Sequence, residues 1–144
     1  TAATNAGTDA APINKIASGG ELARFMLALK VNLATSENIP TLVFDEVDAA
    51  IGGATASAVG ERLARLAREN CQVLVITHSP QVASFGAHHF RVEKGETDGK
   101  TTTTVRELSD SERREEIARM LSGAEITDAS RAAAVELLKN RMNA

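Results

Sequence analysis

The hydrophobic and polar positions of this chain change period several times, and each change marks an element. Leu22, Phe25, Met26, Leu29 and Leu33 recur at helical spacing, and Ser18 followed by Glu21 is a capping-box pattern. A helix is therefore predicted from about Gly20 to Ser36, and Pro40 resets the chain. Thr41 to Asp45 is a nearly continuous apolar run, the pattern of a strand covered on both faces. Ala54 to Glu69 returns to helical spacing, with Val59, Leu63 and Leu66 inward and Arg62, Arg65 and Arg68 toward solvent. Gln72 to Thr77 is a second buried strand, and strand, helix, strand at this spacing predicts a right-handed crossover between parallel strands. Pro80 to Phe85 is a short helix after it.

Alternation then replaces the apolar runs. His89 to Lys94 and Thr101 to Leu108 predict two antiparallel strands around a turn from Gly95 to Gly99. Ser109 with Glu112 opens a helix to about Leu121, and Thr127 caps a last helix to about Met142. The expected fold class is α/β, with a parallel-sheet core, a β-hairpin and C-terminal helices. Residues 1–15 are small and polar at first and lack an initiating Met, so they are expected to be a loop or truncated strand of something longer. Residues 16–144 form the single remaining lobe.

Composition narrows the classes. The 144 residues are 43% hydrophobic, enough for one core and hardly two. A formal charge of -3 and a pI near 5.6 advertise neither a nucleic-acid nor a membrane surface, though a local basic patch stays compatible with them. Arg62, Arg65 and Arg68, with Arg113 and Arg114, fit solvated helix faces better than phosphate contacts. Trp and Tyr are absent, leaving few platforms for stacking bases. The single cysteine, Cys71, excludes an internal disulfide, fits a reducing cytosol, and opens a strand as a small buried side chain. No apolar run approaches the length of a membrane span, and no signal peptide is visible.

Three places carry chemistry. Ser18-Gly19-Gly20-Glu21 begins a helix, where glycines admit a close ligand and free N–H groups favour an anion. On these residues alone, a capped helix with flexible glycines is the simpler reading. Asp45-Glu46 ends a strand, delivering two acids to the carboxyl edge where ligands of open α/β folds sit. One carboxylate can hold Mg²⁺, directly or through water, and its neighbour can orient water attacking a phosphoryl group. Thr77-His78 ends the next strand, and a histidine there can contact a γ-phosphate. The stretch Gly95 to Thr101 mimics the phosphate-binding loop G-x-x-x-x-G-K-[ST], but its glycines are one residue too close and a β-branched run follows. It is a hairpin turn. His88 and His89, adjacent in a strand, point to opposite faces and make no metal site.

These residues resemble a known family. KIASGGEL is similar to the ABC/SMC signature, TLVFDEVD to a Walker B strand with its catalytic Glu, and VITHS to the H-loop. With FMLALKV, FDEVDAAIGG, THSPQVA, HHFRVEK and REEIARMLSG, the chain resembles the RecN family of bacterial SMC-like ATPases nearly end to end. The resemblance implies the C-terminal lobe of a split ABC-type head acting in DNA double-strand-break repair, recombination and the SOS response. An N-terminal lobe of the same protein would carry Walker A. Asp45 would help hold Mg²⁺, Glu46 would polarise the attacking water, and His78 would contact the γ-phosphate. Ser18, Gly19, Gly20 and Glu21 would reach ATP held by a second head of an ATP-dependent homodimer. Asp48, Ala49, Ala50, Ile51 and Gly52 would be the D-loop crossing that interface, with Ala50 standing where the family usually has Gly. ATP and Mg²⁺ would be the cofactors, DNA a partner of the full-length protein, and the location cytoplasmic, at the nucleoid. Of three competing readings, two are another ABC-type subunit such as a transporter ATPase and a metal-dependent hydrolase using Asp45, Glu46 and His78. A non-catalytic interaction module is the third.

Overall fold

In a strand, side chains alternate between faces, so an unbroken apolar run has to dispose of two surfaces. The computed structural model of the chain describes residues 40–45, 48, 51–68, 71–97, 100–123 and 125–140. The expected helix from Gly20 to Ser36, and residues 1–15, lie outside the described residues. The chain divides between His78 and Ser79 into two compact units.

The first unit contains β1 (Thr41–Asp45), α1 (Gly53–Arg68) and β2 (Gln72–Ile76). β1 and β2 pair in parallel, Thr41 beside Gln72 through Asp45 beside Ile76. α1 packs against β2 and buries Val59, Leu63 and Leu66, as its periodicity predicts, together with Ala56 and Gly60, while Arg62, Arg65 and Arg68 are exposed. Phe44 is fully buried, and Cys71 is a buried free thiol. The expectation of strands covered on both faces is not met. Val43, Leu74 and Ile76 are 57%, 46% and 58% exposed, and the register sets Val43 beside Leu74 and Asp45 beside Ile76 on one face. The helix and Phe44 account for one face of the apolar run, and the alternate residues project from the other. Gly53, which starts α1, has φ of +53°, a left-handed conformation that a side chain would strain.

The second unit contains α2 (Pro80–Ser84), β3 (Phe90–Thr97), β4 (Lys100–Glu107), α3 (Asp110–Leu121) and α4 (Asp128–Asn140). Its core is Ile117, Ala118 and Ala134, all fully buried, with Ala83, Met120, Leu121, Leu137 and Leu138 packed around them. The antiparallel hairpin of β3 and β4 runs from the pair Phe90 and Glu107 to the pair Thr97 and Lys100. Gly95, Glu96 and Thr97 therefore belong to β3 rather than to the turn expected from Gly95 to Gly99, while Thr101 lies in a strand as expected. The β-branched Thr run favours continued pairing, which carries the ladder to Thr97 beside Lys100. His88 and His89 precede β3 rather than lying in a strand. His88 Nδ1 is 2.7 Å from Glu107 Oε1, and the carbonyl of His89 accepts the N–H of Leu108 at 2.8 Å.

Both expected helix starts have their caps. Ser130 N–H donates to Thr127 Oγ1 at 3.1 Å, and Thr127 N–H to Ser130 Oγ at 3.0 Å, closing the first turn of α4. At α3, Glu112 N–H donates to Ser109 Oγ at 3.4 Å, while Ser109 N–H donates to Glu112 Oε2 at 2.8 Å. Hydrogen bonds from the Ser109 hydroxyl first, then its backbone N–H, then Arg106, hold the Glu112 carboxyl at about 2 against an ordinary 4.5. Because the folded value is the lower, this stabilisation is full above 4.5 and is lost as pH falls from 4.5 towards 2. Ser109→Ala is expected to weaken α3 by about 1 kcal/mol. It should also flatten that acid limb, which amide exchange in the first turn of α3, followed against pH, will read out.

Candidate functional site

Parallel neighbours end at the same sheet edge, so the loops leaving them share one neighbourhood. Asp45 is the last residue of β1 and pairs with Ile76, the last of β2, which places Asp45 and the following Thr77-His78 at one carboxyl edge. Asp45 is exposed there. Three residues beyond β1, Asp48 is 2% exposed. Its Oδ2 accepts the Thr77 hydroxyl at 2.6 Å and the His78 backbone N–H at 3.3 Å. The His78 imidazole is 81% exposed, its Nδ1 3.6 Å from the same oxygen, beyond a good hydrogen bond. Ile51 N–H donates to the Asp48 carbonyl at 3.1 Å, forming the turn that leads through exposed Gly52 into α1.

The structure thus places Asp45, Asp48 and His78, of the residues expected from sequence, at one sheet edge, with the Thr77 hydroxyl bonded to Asp48. Ile51 and Gly52 follow on the same loop. Ser18, Gly19, Gly20, Glu21, Glu46, Ala49 and Ala50 lie outside the described residues. The bond from Thr77 to Asp48 joins the last residue of the second predicted strand to a residue 29 positions earlier in the sequence, so no local pattern announces it. Among the described residues, no group of three or more His, Cys, Asp or Glu side chains is arranged to hold a metal ion.

A second polar cluster, within the second unit, was not expected. Arg113, read from sequence as part of a solvated face, is 4% exposed. Its guanidinium donates to the carbonyls of Gly86 at 2.6 Å, Ser84 at 2.9 Å, Ala83 at 3.2 Å and Ala87 at 3.4 Å. The guanidinium so completes the end of α2, whose last carbonyls have no partner within the helix. Glu116, one turn on and also buried, receives Arg119 at 2.6 Å and lies 3.3 Å from Arg91. The Arg119 hydrogen bond, opposed by burial, holds its carboxyl below the usual range. Burial, then the Arg113 charge, pushes His89 below 6.5, with Glu116 opposing them. Arg114 is exposed as expected.

No family model matches the chain. Over 137 residues, 95% of the chain, it is 54% identical to the DNA repair protein RecN of Rickettsia conorii, of which it spans 25%. It is 51% identical over 135 residues to RecN of Haemophilus influenzae, covering 94% of the chain and 24% of that protein. It is 50% identical over 137 residues to RecN of Xylella fastidiosa, covering 95% of the chain and 24% of that protein. The chain therefore spans about a quarter of the length of the curated relatives it matches. Among solved structures it is similar to an SMC ATPase studied for ATP-driven dimerization and DNA-stimulated activation. That likeness has TM-score 0.55 and 24% identity, over 83% of this chain and 71% of that one. The fold is accordingly like that of this SMC ATPase, mixed α/β with one parallel and one antiparallel two-stranded sheet among the described residues.

Proposed function

We propose that this chain, which corresponds to the C-terminal portion of the RecN DNA repair proteins, supplies one half of an ATP-hydrolysing head. The observation that carries the reading is the pairing of Asp45 and His78 loops at one carboxyl edge, with the acid and the imidazole both exposed. Phosphoryl transfer needs positioned charge more than covalent help, so its groups can come from separate lobes. An N-terminal lobe of the longer protein supplies the phosphate-cradling loop absent from this sequence. Asp45 offers a carboxylate oxygen of the kind a hard cation takes, and suits Mg²⁺ directly or through water. Mg²⁺ in that place would neutralise charge on the β- and γ-phosphate oxygens. Glu46 polarises the attacking water, and His78 contacts the γ-phosphate.

Ser18, Gly19, Gly20 and Glu21 serve an ATP held by a second head, and the loop from Asp48 to Gly52 crosses between the two. ATP binding closes the pair and hydrolysis reopens it, which through the full-length protein acts on DNA during double-strand-break repair and recombination. The location is cytoplasmic, at the nucleoid. Among the described residues no helix is long and apolar enough to cross a membrane. The test is Ser18→Arg in the full-length protein. Binding of ATP to an isolated head should stay within about twofold, while ATP-dependent pairing, followed by light scattering, should weaken by roughly a hundredfold or more, since a buried unpaired charge costs several kcal/mol. Pairing at wild-type strength would refute a signature acting on the other head's nucleotide.

A further inference from the structure

We infer that Asp48 is a positioning residue for His78, and that its buried carboxylate sets the imidazole by tying the loop after β1 to the loop after β2. The inference rests on the reading in which His78 meets the γ-phosphate. A carboxylate is costly to bury and persists in a protein interior only when hydrogen bonds replace its water. Asp48 is 2% exposed, and its Oδ2 receives the Thr77 hydroxyl at 2.6 Å and the His78 N–H at 3.3 Å. The first distance is in the short range of a charge-assisted bond.

Both bonds converge on Oδ2, one from the His78 backbone N–H and the other from the side chain of the residue before it, while the His78 ring nitrogen stays 3.6 Å away. The imidazole stays 81% exposed, so the backbone that carries it is fixed while its ring nitrogens remain available to a ligand. Asp48 is itself held from its other side, because its carbonyl accepts the N–H of Ile51 at 3.1 Å in the turn that feeds α1. The loop assigned to the contact between heads and the histidine assigned to the γ-phosphate thus share one carboxylate. A partner head that shifts Asp48 moves His78 directly through one hydrogen bond and through its neighbour Thr77 by the other, which makes hydrolysis responsive to pairing.

The experiment is steady-state ATP hydrolysis by the full-length protein carrying Asp48→Ala, Asp48→Asn, Thr77→Val, His78→Ala and the Asp48→Ala/His78→Ala pair. Asp48→Ala is expected to lower kcat by about a hundredfold, the scale of a small misplacement at a reacting centre, with KM for ATP within about twofold. Asp48→Asn keeps an acceptor oxygen and should restore most of that loss, and Thr77→Val, which removes one bond at nearly constant shape, should lose about tenfold. The double variant should be no slower than His78→Ala, since a residue that acts through His78 has nothing left to position. Losses that multiply in the double variant, or a wild-type kcat in Asp48→Ala and Thr77→Val, overturn the positioning role while leaving His78 in place. A wild-type kcat in His78→Ala overturns the γ-phosphate reading itself, and the inference with it.

Discussion

Glu46→Gln in the full-length protein is expected to cut ATP turnover by roughly 10²–10⁴-fold, the range that a positioned general base contributes. It should do so while leaving ATP-dependent pairing of heads intact. Glu46 follows Asp45 directly, and Asp45 ends β1 at the carboxyl edge shared with Thr77 and His78. The amide keeps the size of the carboxylate and one acceptor oxygen, but it cannot take up a proton or bring a negative charge to the attacking water. The oxygen of Asp45 is untouched, so nucleotide and Mg²⁺ binding should persist. Two measurements check this: the steady-state rate of phosphate release, and the mass of the ATP-bound species in solution. A wild-type rate would remove Glu46 from the chemistry. Loss of both turnover and pairing would mean that Glu46 serves binding instead.

What could be read in advance from the residues follows a physical division. Local signals were legible: Ser109 and Glu112 lie three apart, and their reciprocal bonds stand where the capping pattern placed them. β1 has the limits of its apolar run, because Pro40 bounds one side and an acid the other. Burial of its faces was not legible, since a run such as that of Val43 and Phe44 reports only that both faces are apolar. It does not report which element covers each. Thr77 and Asp48 are 29 residues apart, and no pattern of period two or 3.6 can couple them. Their meeting is a consequence of strand pairing, visible only once the register is known. Arg113 was misplaced for a related reason. Charge argues for solvent, yet Arg113, Glu116 and Ile117 share one side of α3 by spacing, and the carbonyls that satisfy Arg113 come from another segment.

Arg113→Ala is expected to destabilise the unit from Ser79 onward by roughly 3–5 kcal/mol, since buried carbonyls lose several hydrogen bonds from a charged donor, each on the order of 1.5–3 kcal/mol and not fully additive. Four carbonyls between Ala83 and Ala87 receive this guanidinium, and a methyl group replaces none of those bonds. The cavity is no remedy, because Ile117 and Ala118 on the same helix are already fully buried and packed. Arg113→Lys should recover only a minority of the loss, since an ammonium has three donors at one point and cannot reproduce the fork that spans these carbonyls. Denaturant unfolding gives the magnitude, and amide exchange of residues 83–87 locates it. A loss below about 1 kcal/mol, the scale of a single neutral hydrogen bond, would show that water replaces the guanidinium. His89 supplies an independent readout. Burial and then Arg113 hold its pKa below 6.5, so in the wild type its contribution to stability is full above 6.5 and is lost as pH falls from there towards the lowered value. Without Arg113 one of the two lowering causes is gone and Glu116 still pulls upward, so the His89 pKa should rise and this acid loss should shrink, a shift that NMR titration of the imidazole will detect.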